Sequence, residues 1–598
     1  MKEAEAFILK YSRSFGSKRI IPEGIKKLEQ LKGKEIIEDL KDIVSNVDIL
    51  IAAYTNIKGN KGIDTPGTDN KTLDGISTED FATLSKEIRT GAYQFKPAKV
   101  IEIPKGKGGT RRLGLPSGRD KIVQEAMRMI LAVIYENKFL ETSHGFRQGH
   151  SCHTALEYIR MRFAERRWFI EGDISNCFDS FDHKLLIANI KLRIKDQVFI
   201  DLLYKSLKAG YIEQGVYKDS IKGTPQGSVL SPILANIYLH DLDVYMEEYK
   251  KSFDKGLRKK SNPLYNKILR SGKTKDGRIK EPINRLKYIH KNKILPALET
   301  DESFKRISYV RYADDFLIGV IGSKKDCEKI REDIRIFLLE KLNLYLNMEK
   351  TRITHAIKER AKFLGYEIHI TSLSKRKYST RQKLGKTIKA LVNTRPLLSC
   401  PIYKIKNKLY EKGYTNDKKE GTRVGRLIHF TDSYIIQHFS SLWRGIANYY
   451  SKASNFSRMT SIYYILTYSC LLTLVSKNRL GSKRKGVKVY GMPMAVGDTK
   501  FPPWGKPIVQ STTQIMDIDK FIENMSNRTQ RTIELLSNSC SICGSTERVE
   551  MHHVHAIRKN KGRDFLSTQE RNLKRRQIPV CQSCHNKIHK GKYHGPKL

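Results

Sequence analysis

The chain has 598 residues and a formal net charge of +48, from 111 Lys and Arg against 63 Asp and Glu. That length exceeds what one hydrophobic core sustains, so several domains are expected, and a positive excess spread along the whole chain selects a polyanionic partner, RNA or DNA. No apolar run of spanning length is expected, hence no membrane partner, and the N-terminal MKEAEAFILKYSRSFGSKRI reads as neither secretory signal nor transit peptide.

Residues 1–95 read as basic and helical, broken by the Gly-rich KGNKGIDTPGTDNKTLDG at 58–75. Short strands mixed with helices are predicted over 96–240. A Lys-rich insertion follows at roughly 245–300, punctuated by SNP and SGKTKDG. Strands return at 306–321 and 362–370, with KKDCEKIREDIRIFLLEKL between them as an amphipathic helix. From about 376 to 495 the chain reads as basic, helical and Tyr-rich. GDTKFPPWGKP (497–507) reads as a linker, and 538–598 as a small metal-stapled module. No internal repeat is evident. Five of the nine cysteines are scattered and four form two C-x-x-C pairs, the usage of a reduced compartment with one metal site.

Two apolar strands carry acids. RWFIEGDISNCFDSFDH (167–183) ends its strand at Asp173, and SYVRYADDFLIGV (308–320) holds Asp314 and Asp315 side by side. Adjacent carboxylates in an apolar strand repel and resist burial. An Asp at a strand end can converge with an acidic pair on a hairpin turn, and three carboxylates then hold two Mg²⁺ ions that offset the repulsion. Such a pair of ions bridges the attacking hydroxyl, the phosphorus and the leaving oxygen. A lone Asp-Asp would more simply be an exposed turn.

In HFTDSYIIQHFSSLWRGIANYYSKASNF (429–456), Ile435, Ile436, Phe439, Leu442 and Ile446 recur at helical spacing and form a core face. Arg444, Asn448, Tyr449 and Tyr450 are left over, a set suited to phosphate contact and base stacking in RNA, or to packing a bundle. Further on, Cys540 and Cys543 with Cys581 and Cys584 give a closed tetrahedral Zn²⁺ site by spacing. EMHHVHAIRK (550–559) lies between the pairs and HNKIH (585–589) trails them. The layout fits a ββα-metal nuclease or a purely structural DNA-binding zinc finger.

YADD (312–315) is the signature of reverse transcriptases, and the blocks around it resemble, in order, the reverse transcriptases encoded by mobile group II introns. IEIPKGKGGTRRLGLPSGRDKIVQEAMRMIL (101–131), SHGFRQGHSCHTAL (143–156), GTPQGSVLSPILANIYLHDLD (223–243), LNMEKT (346–351) and AKFLGYEI (361–368) carry the likeness. The insertion before YADD marks the mitochondrial-like lineage. The resemblance implies an α+β multidomain protein. Its parts are an N-terminal extension and fingers (1–95), right-hand polymerase fingers and palm with an antiparallel sheet (96–375), an α-helical thumb or maturase domain (376–496), a DNA-binding region (497–537) and an HNH endonuclease with a four-cysteine zinc site (538–598).

By resemblance, Asp173, Asp314 and Asp315 are the catalytic metal ligands and the Ile174 carbonyl completes one shell. Phe178 is placed under the sugar, where a ring clashes with a 2′-OH and selects dNTPs. Lys105, Arg112 and Lys350 are candidates for triphosphate contact, with Gln226 and Gly227 facing the incoming base pair. In the nuclease, His552 and His589 hold one Mg²⁺ and His553 is the general base, with His585 and Asn586 as weaker candidates. LKRRQIPV (573–580) lacks the Asn that the wider HNH family places before its second knuckle. The implied partners are the chain's own intron RNA, a double-stranded DNA target and dNTPs. The implied location is a bacterial cytoplasm, nucleoid-associated, or alternatively an organellar matrix. Two other readings are a splicing factor with a decayed polymerase and a nuclease whose polymerase fold serves only for binding.

Overall fold

A computed structural model describes residues 21–60, 65–104, 109–224, 227–271, 282–372, 375, 378–383, 386–391, 395–505, 518–553 and 577–593. Lys105 and Gln226 lie outside the described residues, as does the side chain of His553.

Among the described residues, four N-terminal helices lead into strands β1 (Ala98–Pro104) and β2 (Thr110–Leu115), paired antiparallel. After the helix Gly118–Tyr135, capped by the Ser117 hydroxyl, the chain reaches β3 (Trp168–Asp173). Short strands β4 (Tyr211–Glu213) and β5 (Val216–Lys218) extend the β1–β2 pair into a sheet of order β2-β1-β4-β5. The long helix Ser231–Phe253 then leads through the insertion to β6 (Arg306–Tyr312) and β7 (Asp315–Ile321). The helix Lys324–Leu342 and β8 (Arg352–His355) complete a second sheet of order β6-β7-β3-β8.

The strands of that second sheet show why their sequence is a continuous apolar run. Five consecutive residues in each of β6 and β7 are buried, so neither face is solvated. Successive side chains point to opposite faces. Ile170, Ile307, Tyr309, Phe316, Ile318 and Val320 join one core with the N-terminal helices. Phe169, Val310 and Leu317 join another with the helices after residue 400. The sheet is thus a wall between two hydrophobic cores.

Beneath the β6–β7 turn sits Arg311, with no exposed surface. It makes a bidentate pair with Asp243, Nε to Oδ1 at 2.8 Å and Nη2 to Oδ2 at 2.6 Å. Its other donors reach Asn236 Oδ1 (3.1 Å), Ser143 Oγ (2.8 Å) and the Ala313 carbonyl in the turn itself (3.0 Å). Tyr309 donates to Asp243 Oδ1 at 2.9 Å. A buried ion pair persists only with such geometry and satisfied partners.

Three expectations give way. The segment after 376 does not open as a helix: β11 (Tyr378–Lys383) and β12 (Lys386–Leu391) form a hairpin, following β9 (Ala361–Phe363) and β10 (Tyr366–His369) and preceding β13 (Leu397–Ser399). The stretch read as a linker is packed at its start. Beyond the hairpin β14 (Ala495–Val496) and β15 (Thr499–Lys500), Phe501 is buried and Trp504 lies against Trp443, Phe456 and Tyr463. Pro and Gly suggested a spacer, but the aromatic rings find an apolar surface. The segment Phe456–Lys477 is also long and apolar enough to cross a membrane, although 61% of its apolar 18-residue stretch is buried inside the protein. It is a core helix of the second bundle, flanked by Asp432–Tyr449 and Lys483–Tyr490.

The helix Ile518–Ser537 returns to the N-terminal end and packs on Val47–Ile57. Ile518, Ile522, Met525, Ile533 and Leu536 enter the first core, and the Thr55 hydroxyl donates to Thr532 Oγ1 at 3.0 Å. Last come β16 (Val549–His553), β17 (Gln577–Cys581) and the helix Gln582–His589, a ββα unit.

Arg311→Met should destabilise the chain by about 3–5 kcal/mol, because Asp243 stays buried and unpaired. Pairing it with Asp243→Leu should restore most of that loss. Urea midpoints of the two single variants and the double variant check this; equal loss in the single and the double would refute it.

Candidate active sites

The register of the palm-like sheet brings the acids together. Asp173, the last residue of β3, is paired opposite Asp315, the first of β7, and Asp314 stands in the two-residue turn between β6 and β7. Ala313 takes φ +58°, a left-handed conformation that a non-Gly residue adopts at a cost of roughly 1–2 kcal/mol. The Arg311 bond to its carbonyl holds that turn.

Burial first, then Asp314 and Asp173, push the Asp315 carboxyl up to about 6. Burial likewise raises Asp314, with Asp173 adding to it and Arg111 and Lys350 opposing. Three carboxylates crowded this way raise one another's proton affinity until a cation joins them, so the set fits divalent metal binding. Arg111 was not singled out in the sequence; its only signal there is its place beside Arg112 in TRRL.

Lys350 Nζ lies 3.0 Å from Asp173 Oδ2. Its loop is tied down by Asn347 N–H donating to the Asp173 carbonyl and Ser175 N–H to Tyr345 O, both at 2.8 Å. Ile174 is buried beside them and bridges Leu346. Phe178 is half-buried, edge-on to Phe146 with ring centres 6.2 Å apart. Its carbonyl accepts from Thr224 N–H at 2.7 Å, which seats Thr224 on the short helical turn that follows Asp173. Gly227 has φ +117°, and a Cβ there would come within 2.3 Å of the Gly114 carbonyl on β2, so only glycine allows this approach. Arg112 is occupied on the β2-β1-β4-β5 sheet: Nη2 is 2.5 Å from Glu213 Oε1, over the Tyr211 ring.

On the helix Asp432–Tyr449, Arg444 and Asn448 are exposed. The two tyrosines do double duty. Tyr449 donates to Leu364 O at 2.7 Å and Tyr450 to Gly365 O at 3.2 Å, fixing the helix to the β9–β10 hairpin. Tyr449 keeps 36% of its surface exposed.

In the C-terminal unit, Cys540, Cys543, Cys581 and Cys584 converge with ligand atoms within 4.8 Å of one another. The Cys543 and Cys581 sulfurs are 3.6 Å apart, close to the ~3.8 Å edge of a tetrahedral Zn–thiolate site. Although burial pushes the Cys540 thiol up, backbone N–H groups of Cys543, Cys581 and Ile542 hold it down to about 6, while burial and the neighbouring thiols raise Cys584. A second group gathers His552, His585, His589 and Asp74. His552 and His585 are buried, and His585 Nδ1 meets Glu550 Oε2 at 2.6 Å. His585, ranked below His589 from sequence, is as central as His589. Asp74 and Glu550 carried no sequence signal, since one lies 478 positions from His552 and the other sits in a charged run. Asn586 is exposed.

Comparison with known proteins follows this layout. Residues 103–368 match the family described as reverse transcriptase (RNA-dependent DNA polymerase), 393–540 the type II intron maturase and 540–585 the AI2M/AI1M-like HNH endonuclease. The chain is 40% identical over 594 residues to the putative COX1/OXI3 intron 1 protein of Saccharomyces cerevisiae, covering 95% of this chain and 70% of that protein. It is 36% identical over 600 residues to the group II intron-encoded protein LtrA of Lactococcus lactis, covering 96% and 99%. Among solved structures, telomerase from Candida albicans gives a TM-score of 0.32 at 13% identity, over 67% of this chain and 65% of that one, too low to bear on the fold. Three matched domains in order, with a relative aligned over nearly its whole length, place this chain in the family of group II intron-encoded proteins, which join a reverse transcriptase, an intron maturase and an HNH endonuclease.

Proposed function

We propose that this chain binds its own intron RNA, assists splicing, and then copies the intron into a double-stranded DNA target by target-primed reverse transcription. The observation that carries the reading is the meeting of Asp173, Asp314 and Asp315 at one hairpin turn. Asp173, Asp314, Asp315 and the Ile174 carbonyl would hold two Mg²⁺, which supply charge neutralisation at the transferring phosphoryl group. Lys350 releases Asp173 to meet the triphosphate, and Arg112 exchanges Glu213 for phosphate oxygens at the finger sheet. Lys105 and Gln226 complete that set by resemblance. The Phe178 ring, braced by Phe146, closes the space a 2′-OH would need.

The helical region after 400 serves as thumb and RNA-binding maturase surface. Arg444 and Asn448 offer phosphate and base contacts, and the exposed edge of Tyr449 a stacking face. Splicing chemistry stays with the RNA, and the protein favours the folded ribozyme by linkage. The four thiolates hold a structural Zn²⁺. The adjacent histidines hold the nuclease ion, and His553 takes the proton of the attacking water. A nick in the second strand then leaves the 3′-OH that primes synthesis.

Asp314→Ala should lower primer extension with dNTPs on an RNA template by about 10³-fold or more while RNA binding and splicing support persist. Loss of all three together would contradict separate sites. Phe178→Val should raise rNTP use relative to dNTP by roughly tenfold to a hundredfold in single-nucleotide incorporation; unchanged discrimination would leave the ring a packing role alone. His553→Ala should abolish second-strand nicking without touching polymerisation, read on a DNA target labelled on each strand.

A further inference from the structure

The Gly-rich break of the N-terminal region lies against the nuclease. Gly75 N–H donates to the Met551 carbonyl and Met551 N–H to Ile76 O, both at 3.2 Å, and Ser77 bridges Glu550. Gly75 has φ +81°, and a Cβ there would stand 2.7 Å from His585 Cε1, so the contact admits only glycine. This seats Asp74 at the histidines. One of its carboxylate oxygens is 3.3 Å from His589 Nε2, 3.8 Å from His585 Nε2 and 3.9 Å from His552 Nδ1, and the two Nε2 atoms of His585 and His589 are 2.9 Å apart. An ion bound at about 2.0–2.1 Å by four such atoms has edges of ~3.3–3.4 Å, within the spread of these separations. Glu550 fixes the outer nitrogen of His585 so that Nε2 faces the centre, the support that ligating histidines receive.

We propose that Asp74, from the finger-side segment, is a ligand of the nuclease ion, so that one divalent ion joins the nuclease unit to the N-terminal region when no DNA is bound. The inference rests on the nuclease reading of the histidines. The three imidazoles and one carboxylate gathered here among the described residues suit a borderline transition ion such as Zn²⁺ or Co²⁺ better than the Mg²⁺ that the resemblance implies. Four protein ligands close the coordination shell, whereas hydrolysis needs an open position. A DNA phosphate oxygen therefore has to replace the Asp74 carboxylate, and entry of the second strand is coupled to release of the segment that leads into the fingers.

The test uses the full chain given one equivalent of Zn²⁺ for the thiolates and titrated with Co²⁺. A tetrahedral nitrogen and oxygen site gives an intense visible band, distinct from weak octahedral absorption at the polymerase carboxylates. Asp74→Ala and Asp74→Asn should each weaken the ion responsible for that band by at least about tenfold. His589→Ala is the control for the site itself. Affinity unchanged in His589→Ala would overturn the nuclease-site reading, whereas affinity lost there but unchanged in the Asp74 variants would overturn the role of Asp74 alone. A measurement on the parent chain guards against misfolded variants: Co²⁺ should slow hydrogen exchange across residues 72–77, and an unaltered rate would refute the shared ion.

Discussion

A guanidinium with no access to water holds the tip of the β6–β7 hairpin. Arg311 bonds Asp243 and Asn236 on the long helix, Ser143, and the carbonyl of Ala313 in the turn. Burying that charge is expensive, and only the bidentate carboxylate with every donor used offsets the loss of solvation. The same network keeps an alanine at positive φ and so fixes where Asp314 and Asp315 stand relative to Asp173. Placement of three mutually repelling carboxylates therefore depends on a cation that never meets solvent. Its partner Tyr309 is buried as well and raised far above its ordinary range by burial and by Asp243.

Around that point the molecule is organised as two cores on the two faces of one sheet. The first core extends from the N-terminal helices to Ile518–Ser537 and reaches Met551 in β16. The second gathers the helices after 400 and closes on Phe501. Among its described residues, the nuclease unit has a small core of its own, built from Cys540, Ile578, Val580, Cys581 and Cys584. So small a core needs a metal or a neighbour to be stable, and the structure provides both a thiolate cluster and a docked N-terminal segment. The N-terminal helices and the nuclease unit are also joined directly: Gln577 donates to the Tyr54 hydroxyl at 2.7 Å across 523 positions.

Much of the chemistry was legible in the residues themselves. Two C-x-x-C pairs, an Asp closing an apolar strand and a second strand carrying Asp-Asp are local patterns, and each imposes its meaning within a few positions. The apolar runs of β6 and β7 likewise announced strands, and the structure buries both of their faces. Where reading failed, long-range packing had the deciding role. GDTKFPPWGKP carries every mark of a spacer, yet Phe501 and Trp504 find an aromatic surface made by residues far upstream. The apolar stretch within 456–477 could be told from a spanning helix only by what surrounds it.

Residue type and spacing thus determined the kind of groups present: clustered carboxylates, paired thiolates and a set of histidines. Only the tertiary structure decided which of them meet. Register put Asp173 against Asp315, because a one-residue slip would have turned it to the opposite face. Docking put Asp74 among histidines hundreds of positions away, and hydrogen bonds to Leu364 and Gly365 drew Tyr449 and Tyr450 toward the sheet. Periodicity records the environment of a residue along its own element; the partner across a contact is chosen by folding of the whole chain.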